Sequence, residues 1–357
     1  MPGINLEISK IIDEQRNSLS EAIVSRQYRL QPEIWEPYGE KGRELSLRDS
    51  NLHFSYLVEA LNQSDPTLFG DYVAWLKQLF EGIKIPSEAL PAMLECTEEV
   101  LRERLSPEMM EIINEYIQTA KKRIQDELAT QPSFMTPDAP LHELAKHYLN
   151  SLLNGDRRVA ANLILQAIDK GENVKDIYLN VFQRSQYEVG RLWHSNKVSV
   201  AQEHYCSAAT QLIMSQLYSL IFTTEKIGRK LVAACVGGEL HEIGIRMVAD
   251  FFEMEGWDTY YMGANTPASS IIEAIEKHQA DVVGISASIP FHRSGLQELI
   301  SNMREFDPSR RVKILVGGYA LRTSPDLWKR LGADGFADDA QQAIALANQI
   351  IMDKSLS

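Results

Sequence analysis

The stretch VGGELHEIG, residues 236–244, sets Glu239, His241 and Gly244 in an E-x-H-x-x-G pattern directly after an apolar run. A neutral imidazole binds a metal through one ring nitrogen while a carboxylate orients the other. Glu239, two residues from His241, is placed to be that carboxylate. Gly244 lets the following backbone approach a bulky ligand closely. The alternative is a solvated histidine on a turn. Two further stretches bear on the choice: GISAS, with Ser286 and Ser288, and VGG, with Gly317 and Gly318. Small and hydroxyl residues at the ends of adjacent strands would make a narrow slot fit for a nucleotide-like tail. A second constellation is LWHSNKVSVAQEH, where Trp193 and His194 stand ten residues ahead of Glu203 and His204. It is either a helix hairpin with a polar cap or one wall of a cofactor site.

The elements that must position these residues fall into three segments. Residues 1–130 read as an all-helical domain; Ser106 with Pro107 opens one helix as N-cap and first helical residue. The turn-rich stretch QPEIWEPYGEKGRE separates helices there. TQPSFMTPDAP, residues 130–140, holds three prolines and reads as a linker. Residues 140–226 carry four amphipathic helices with short loops, a four-helix bundle pattern. Asp156 caps one of them, and Ser199 with Gln202 forms a capping-box pattern at the start of the last. Residues 227–357 change period: RKLVAACVGG, DTYYMG, ADVVGISAS, VKILVGG and DGFADD are five short strands alternating with helices. That alternation predicts a doubly wound, flavodoxin-like parallel sheet, so the fold class is multidomain, α followed by α/β. Ligands of such sheets sit at the carboxyl ends of the strands, where His241, Ser286, Ser288 and the Gly pair fall.

A formal net charge of -13 repels phosphate backbones and anionic lipid surfaces, so neither nucleic acid nor membrane is an expected partner. Cys96, Cys206 and Cys235 are odd in number and far apart, which suits a reducing cytoplasm and implies neither a disulfide framework nor a zinc cluster. The N-terminus has no signal-peptide pattern, and no apolar run reaches membrane-span length.

Taken as a set, the three strand-end features resemble the cobalamin-binding fold, whose pattern is D-x-H-x-x-G, then S-x-L, then G-G. The resemblance implies that His241 replaces the benzimidazole as lower cobalt ligand and that the freed tail enters the slot at Ser286, Ser288, Gly317 and Gly318. Glu239 replaces the usual Asp and Ser288 the usual Leu. The bundle would then cap the upper face. The light-sensing cobalamin repressors carry W-x9-E-H in that cap, and Trp193, Glu203 and His204 match it. This implies adenosylcobalamin as cofactor, with Trp193 over the adenosyl group, Glu203 on the ribose hydroxyls, His204 in support, and His194 as upper cobalt ligand after light breaks the cobalt–carbon bond.

The N-terminal segment lacks the DNA-binding helix-turn-helix of those repressors. Instead Tyr38, Arg43, Asp49, His53 and Tyr56 cluster within residues 35–61. Asp49, His53 and Tyr56 share a helix face by spacing, and Arg43 suits a propionate. Domain order and this segment resemble the photocobilins, which implies biliverdin as a second chromophore. A helical domain serving only dimerisation or partner binding is the alternative. The expected function is accordingly a cytoplasmic photoreceptor that signals through a light-dependent homo-oligomeric state and a downstream protein partner, and is not an enzyme. The second expectation is a corrinoid protein carrying methyl groups for a separate methyltransferase, and the third a cobalamin-binding adaptor without photochemistry.

Overall fold

The computed structural model describes residues 2–126, 132–322 and 326–354. It divides into two compact units.

The first unit is helical: α1 (Pro2–Leu30), α2 (Pro32–Trp35), a 3-10 turn (Glu36–Tyr38), α3 (Gly39–Gln63), α4 (Pro66–Ile83), α5 (Ala89–Arg102) and α6 (Pro107–Gln125). Its apolar core runs through Ile8, Leu19, Phe54, Leu57, Phe69, Leu94 and Ile113. Ser106 caps α6 through the Met109 amide, and Asp65 caps α4 through the Thr67 amide. The expected break at QPEIWEPYGEKGRE is shorter than its composition suggests, because GEKGRE already belongs to α3. Gly42 makes that early start feasible: a Cβ there would stand 2.2 Å from Cβ of Tyr38. The turn residues His194–Lys197 group with this unit.

The second unit joins a helical bundle to a sheet. The bundle comprises α7 (His142–Leu153), α8 (Arg157–Asp169), α9 (Val174–Ile177), a π-helical stretch (Tyr178–Gln183) continuing into α10 (Arg184–His194), α11 (Val200–Gln216) and the short α12 (Tyr218–Ile221). The capping box at Ser199 and Gln202 is formed in full. The proline-rich stretch before α7 is fastened rather than loose over its described part, residues 132–140; residues 130 and 131 lie outside the described residues. Arg184 donates to the carbonyls of Phe134, Thr136 and Pro140, and Glu188 accepts from the Ser133 hydroxyl and the Phe134 amide.

The sheet follows: β1 (Lys230–Cys235), α13 (Ile243–Met254), β2 (Asp258–Gly263), α14 (Ala268–His278), β3 (Val282–Ser286), a 3-10 turn (Pro290–His292), α15 (Arg293–Phe306), β4 (Lys313–Gly317), α16 (Tyr319–Arg322), α17 (Leu327–Arg330), β5 (Gly335–Ala337) and α18 (Ala340–Lys354). All pairings are parallel, in the order β2-β1-β3-β4-β5. Strands covered on both faces must be apolar throughout, and β1 and β3 are buried almost end to end. Bundle and sheet share one core, since Met247 and Phe251 of α13 and Ala340 of α18 pack among Tyr148, Tyr178, Phe182 and Ile213. Among the described residues no helix is long and apolar enough to cross a membrane.

Candidate functional site

In the order 2-1-3-4-5 the chain reverses its direction of winding between β1 and β3, and the crevice beyond their carboxyl ends is where such sheets take ligands. The register sets Cys235, Ser286 and Gly317 side by side across β1, β3 and β4. The loops leaving these strands therefore emerge together, and they carry His241, Ser288 and Gly318.

Glu239 is fully buried and is the hub of the crevice. Its Oε1 accepts from the backbone amide of His241 at 2.9 Å and from His241 Nδ1 at 2.6 Å. Its Oε2 accepts from the amides of Ser288 at 2.6 Å and Ile289 at 2.9 Å. Burial pushes this carboxyl up, but the His241 side chain and the backbone amides outweigh it and bring it down to about 2. One carboxylate thus ties the β1 loop to the β3 loop and holds the His241 ring. The His241 side chain is 63% exposed, and Nε2 makes no protein hydrogen bond among the described residues. The Glu239 hydrogen bond raises the imidazole above its ordinary value, against burial, and Glu239 and Glu203 add attraction. With Nδ1 protonated toward Glu239, the Nε2 lone pair is the group offered to a ligand.

The small residues divide into two kinds. A Cβ at Gly244 would meet nothing within 4 Å, so space stands open there. Gly318 has φ +105°, and a Cβ on it would lie 2.2 Å from the Ala287 carbonyl oxygen; the glycine exists so that the β4 loop can press against the β3 loop. Ala287 and Ala320 amides close that contact onto Gly317 and Ala287 carbonyls. Ser286 is buried, Ser288 half-buried, and neither hydroxyl makes a hydrogen bond among the described residues. The resulting set of an imidazole nitrogen without a protein partner, two hydroxyls without one, and glycine-lined loops fits a large metal complex with a polar tail.

The bundle contributes through α11. Glu203, Ser207, Gln211 and Ser215 lie four apart and share one face. Gln211 donates to Glu242 at 3.1 Å, and Ser215 accepts from Arg246 at 2.7 Å. Glu203 is held by Ser207 at 3.1 Å and by His204. From Ser207 a side-chain chain continues inward through Gln186 and Thr210 to the buried Tyr148. Sequence reasoning singled out Glu203 and His204 and missed the rest of this ladder, although its four-residue spacing was visible. It also missed Asn265 and Glu242, whose partners lie far away in sequence. Trp193 is half-buried. His194 belongs with the first unit: its ring lies parallel to Trp75 at 4.9 Å, and its Nε2 is 3.1 Å from the Trp75 carbonyl.

The bilin candidates are not gathered around one opening. Tyr38 is exposed, and the Arg43 guanidinium lies over Tyr28 and bonds Ser25. His53 and Tyr56 do share a face, and both meet Tyr72: His53 Nδ1 is 2.6 Å from its hydroxyl, and Tyr56 stacks on it at 3.7 Å. Asp49 pairs with Arg48. Burial drives His53 down to about 4, so the ring is a neutral core partner. The cavity it lines, with Ser50, Phe54, Leu57, Phe69 and Thr97, measures about 10 Å³, the room of a single water. Cys96 is buried, and burial pushes its thiol up to about 11, which disfavours the thiolate that covalent attachment needs.

Fold and site together define a parallel sheet whose carboxyl edge carries a carboxylate-held imidazole, joined through a shared core to a helical bundle. Residues 229–345 and residues 144–218 match two families, each described as a B12 binding domain. A dimethylamine corrinoid protein of Methanosarcina acetivorans is 29% identical over 132 residues, which cover 37% of this chain and 59% of that relative. The chain thus spans less than two thirds of that protein. A dimethylamine corrinoid protein of Methanosarcina mazei is 26% identical over 53% of this chain and 90% of its own length. A corrinoid protein of Desulfitobacterium hafniense is 24% identical over 56% and 94%. The solved structure of the monomethylamine corrinoid protein of Methanosarcina barkeri superimposes with a TM-score of 0.54 at 20% identity, covering 59% of this chain and 99% of that one, and shows the shared fold.

These relatives overturn the photoreceptor assignment, and with it the light-dependent oligomer rearrangement. They are named corrinoid proteins, the two from Methanosarcina dimethylamine corrinoid proteins. The physical reason for the error is that the histidine loop and the strand-end slot of this chain do not by themselves distinguish the two readings. The choice between them rested on three residues, Trp193, Glu203 and His204, whose types suit any polar-rimmed cap.

Proposed function

We propose that this protein is a corrinoid carrier that holds a cobalamin at the carboxyl edge of its sheet and presents a methyl group to a separate methyltransferase. The observation that carries the proposal is the Glu239–His241 pair, in which a fully buried carboxylate fixes Nδ1 at 2.6 Å and leaves Nε2 as the atom that would hold the cobalt. When bound, a corrinoid supplies a cobalt centre that accepts and releases a methyl group. Glu239 keeps the Nδ1 proton in place and so keeps the Nε2 lone pair available. Ser286 and Ser288 offer hydroxyls to the tail, and Gly317 and Gly318 let the loops close around it. The bundle would help to shield a bound corrinoid from water, and its Glu203 lies within electrostatic reach of His241. The names of the relatives support a methylamine-type system, and the partner proposed is a methyltransferase that docks on the capped face.

The test is methyl transfer by the loaded chain. Protein reconstituted with hydroxocobalamin, reduced and methylated with methyl iodide, is mixed with a thiol:corrinoid methyltransferase and its thiol. The carrier assignment predicts a methyl thioether only when both proteins are present. A loaded protein that keeps its methyl group with every such transferase tried contradicts it.

A further inference from the structure

The His241 loop is bracketed by ties to a segment that no sequence motif marks. Asn265 follows β2 and adopts the left-handed conformation, φ +48°. Its side-chain Oδ1 accepts from the Gly238 amide at 2.7 Å, and its own amide donates to the Glu239 carbonyl at 2.8 Å. The neighbouring Ala264 amide donates to Glu242 Oε2 at 3.1 Å, where the Tyr261 hydroxyl also donates at 2.8 Å. The loop is therefore held to Ala264–Asn265 on both sides of His241, at Gly238–Glu239 before it and at Glu242 after it. Gly238 itself has φ +85°, and a Cβ there would run into the His292 ring at 2.9 Å. A backbone turn of that kind has few conformational alternatives once its amide is paired, but many when it is not.

We propose that Asn265 is a positioning residue for the His241 ligand: it presets the β1 loop so that Glu239 reaches Nδ1 and Nε2 faces the corrin site before any cofactor arrives. The proposal rests on the corrinoid reading of the site. Asn suits the post because it tolerates the left-handed region and carries an acceptor one methylene from the backbone. Preorganisation of a metal-binding histidine by its outer partners changes affinity by about 10–100-fold in other sites.

Two variants separate the side chain from the backbone. Asn265→Gly keeps the left-handed conformation accessible and removes the acceptor; Asn265→Asp keeps an acceptor for the Gly238 amide. The first readout is taken without cofactor: NMR of the imidazole nitrogens of His241, assigned with His241→Ala. The wild type and Asn265→Asp are expected to show one Nδ1-bonded tautomer, and Asn265→Gly an averaged or broadened signal. The second readout is hydroxocobalamin affinity by equilibrium dialysis, expected to weaken by about tenfold in Asn265→Gly and to recover in Asn265→Asp. Unchanged imidazole signals and unchanged affinity in folded Asn265→Gly overturn the proposal. So does an Asn265→Asp variant as impaired as the glycine variant. If the wild type takes up no hydroxocobalamin, the carrier assignment fails, and the imidazole comparison still decides the role of Asn265 by itself.

Discussion

At the scale of residues, Glu239 carries the site, and its charge state has a measurable consequence for folding. Its folded pKa of about 2 lies below the ordinary carboxylate value, so its contribution is fully present above about 4.5 and is lost as pH falls toward 2. That contribution is on the order of 3 kcal/mol, because each unit corresponds to about 1.4 kcal/mol. His241 works in the opposite direction: its raised pKa gives stability that is present below 6.5 and lost as pH rises through the folded value. Urea unfolding of the apo protein across the acid range is expected to show a loss of stability that is absent in Glu239→Gln, whose starting stability is lower. Parallel curves for the two proteins would deny Glu239 this role. Gly318 is a second test at this scale. A methyl group at φ +105° and 2.2 Å from the Ala287 oxygen is both strained and blocked. Gly318→Ala is expected to cost roughly 2 kcal/mol or more in unfolding free energy, and an unchanged unfolding midpoint would show that the loops yield.

At the scale of elements, the bundle's third helix and α13 meet through a buried pair. The Tyr178 hydroxyl donates to Asp250 at 2.8 Å, and both side chains are buried. Burial pushes the Asp250 carboxyl up to about 6, opposed by Tyr178 and Arg246 and reinforced by Glu253. A raised carboxyl weakens the fold as pH climbs from the ordinary value of 3.8 toward about 6, since in that range the unfolded chain has released a proton that the folded state still holds. Asp250→Asn keeps an acceptor for Tyr178 and removes the charge. It is expected to stabilise the protein at pH 8 by roughly 1–3 kcal/mol and to leave it nearly unchanged at about pH 3, below both the folded and the ordinary carboxyl values, by urea unfolding. No gain at pH 8 would mean that Asp250 is compensated by other groups. The elements themselves were largely legible in the sequence. The five strands and their flanking helices stand where apolar runs and Gly punctuation predict, and the caps at Ser106 and Ser199 bond as expected. The π-helical stretch within the third bundle helix was not legible, because a change of hydrogen-bond register leaves no mark on composition. The firm hold of Arg184 on the proline-rich segment was also hidden, since it pairs a side chain with carbonyls some fifty residues back.

At the scale of the whole molecule, the sequence located the strand-end residues that gather at the carboxyl edge of the sheet and missed what supports them. Glu239, His241, Ser286, Ser288 and the Gly pair are consecutive on strand ends, so a linear pattern exposes them. Asn265, Glu242 and Gln211 act across loops and helices, and only the fold brings them to the histidine. The finer functional choice failed for a related reason: a cap tells which faces are covered, not which group lies beneath. Because the bundle and sheet share a core and the segment from Pro132 is bonded to the bundle, a chain of residues 132–357 is expected to fold and to retain corrinoid, judged by co-elution of the cofactor in gel filtration. An insoluble or cofactor-free product would assign part of the binding to the first unit. The most direct measurement is the electron paramagnetic resonance spectrum of the protein loaded with cob(II)alamin, prepared with ordinary histidine and with histidine carrying the heavy nitrogen isotope. The predicted result is a hyperfine pattern that changes with the label and disappears in His241→Ala. A pattern indifferent to the histidine label would place the cofactor's own base on the cobalt and contradict His241 as its ligand.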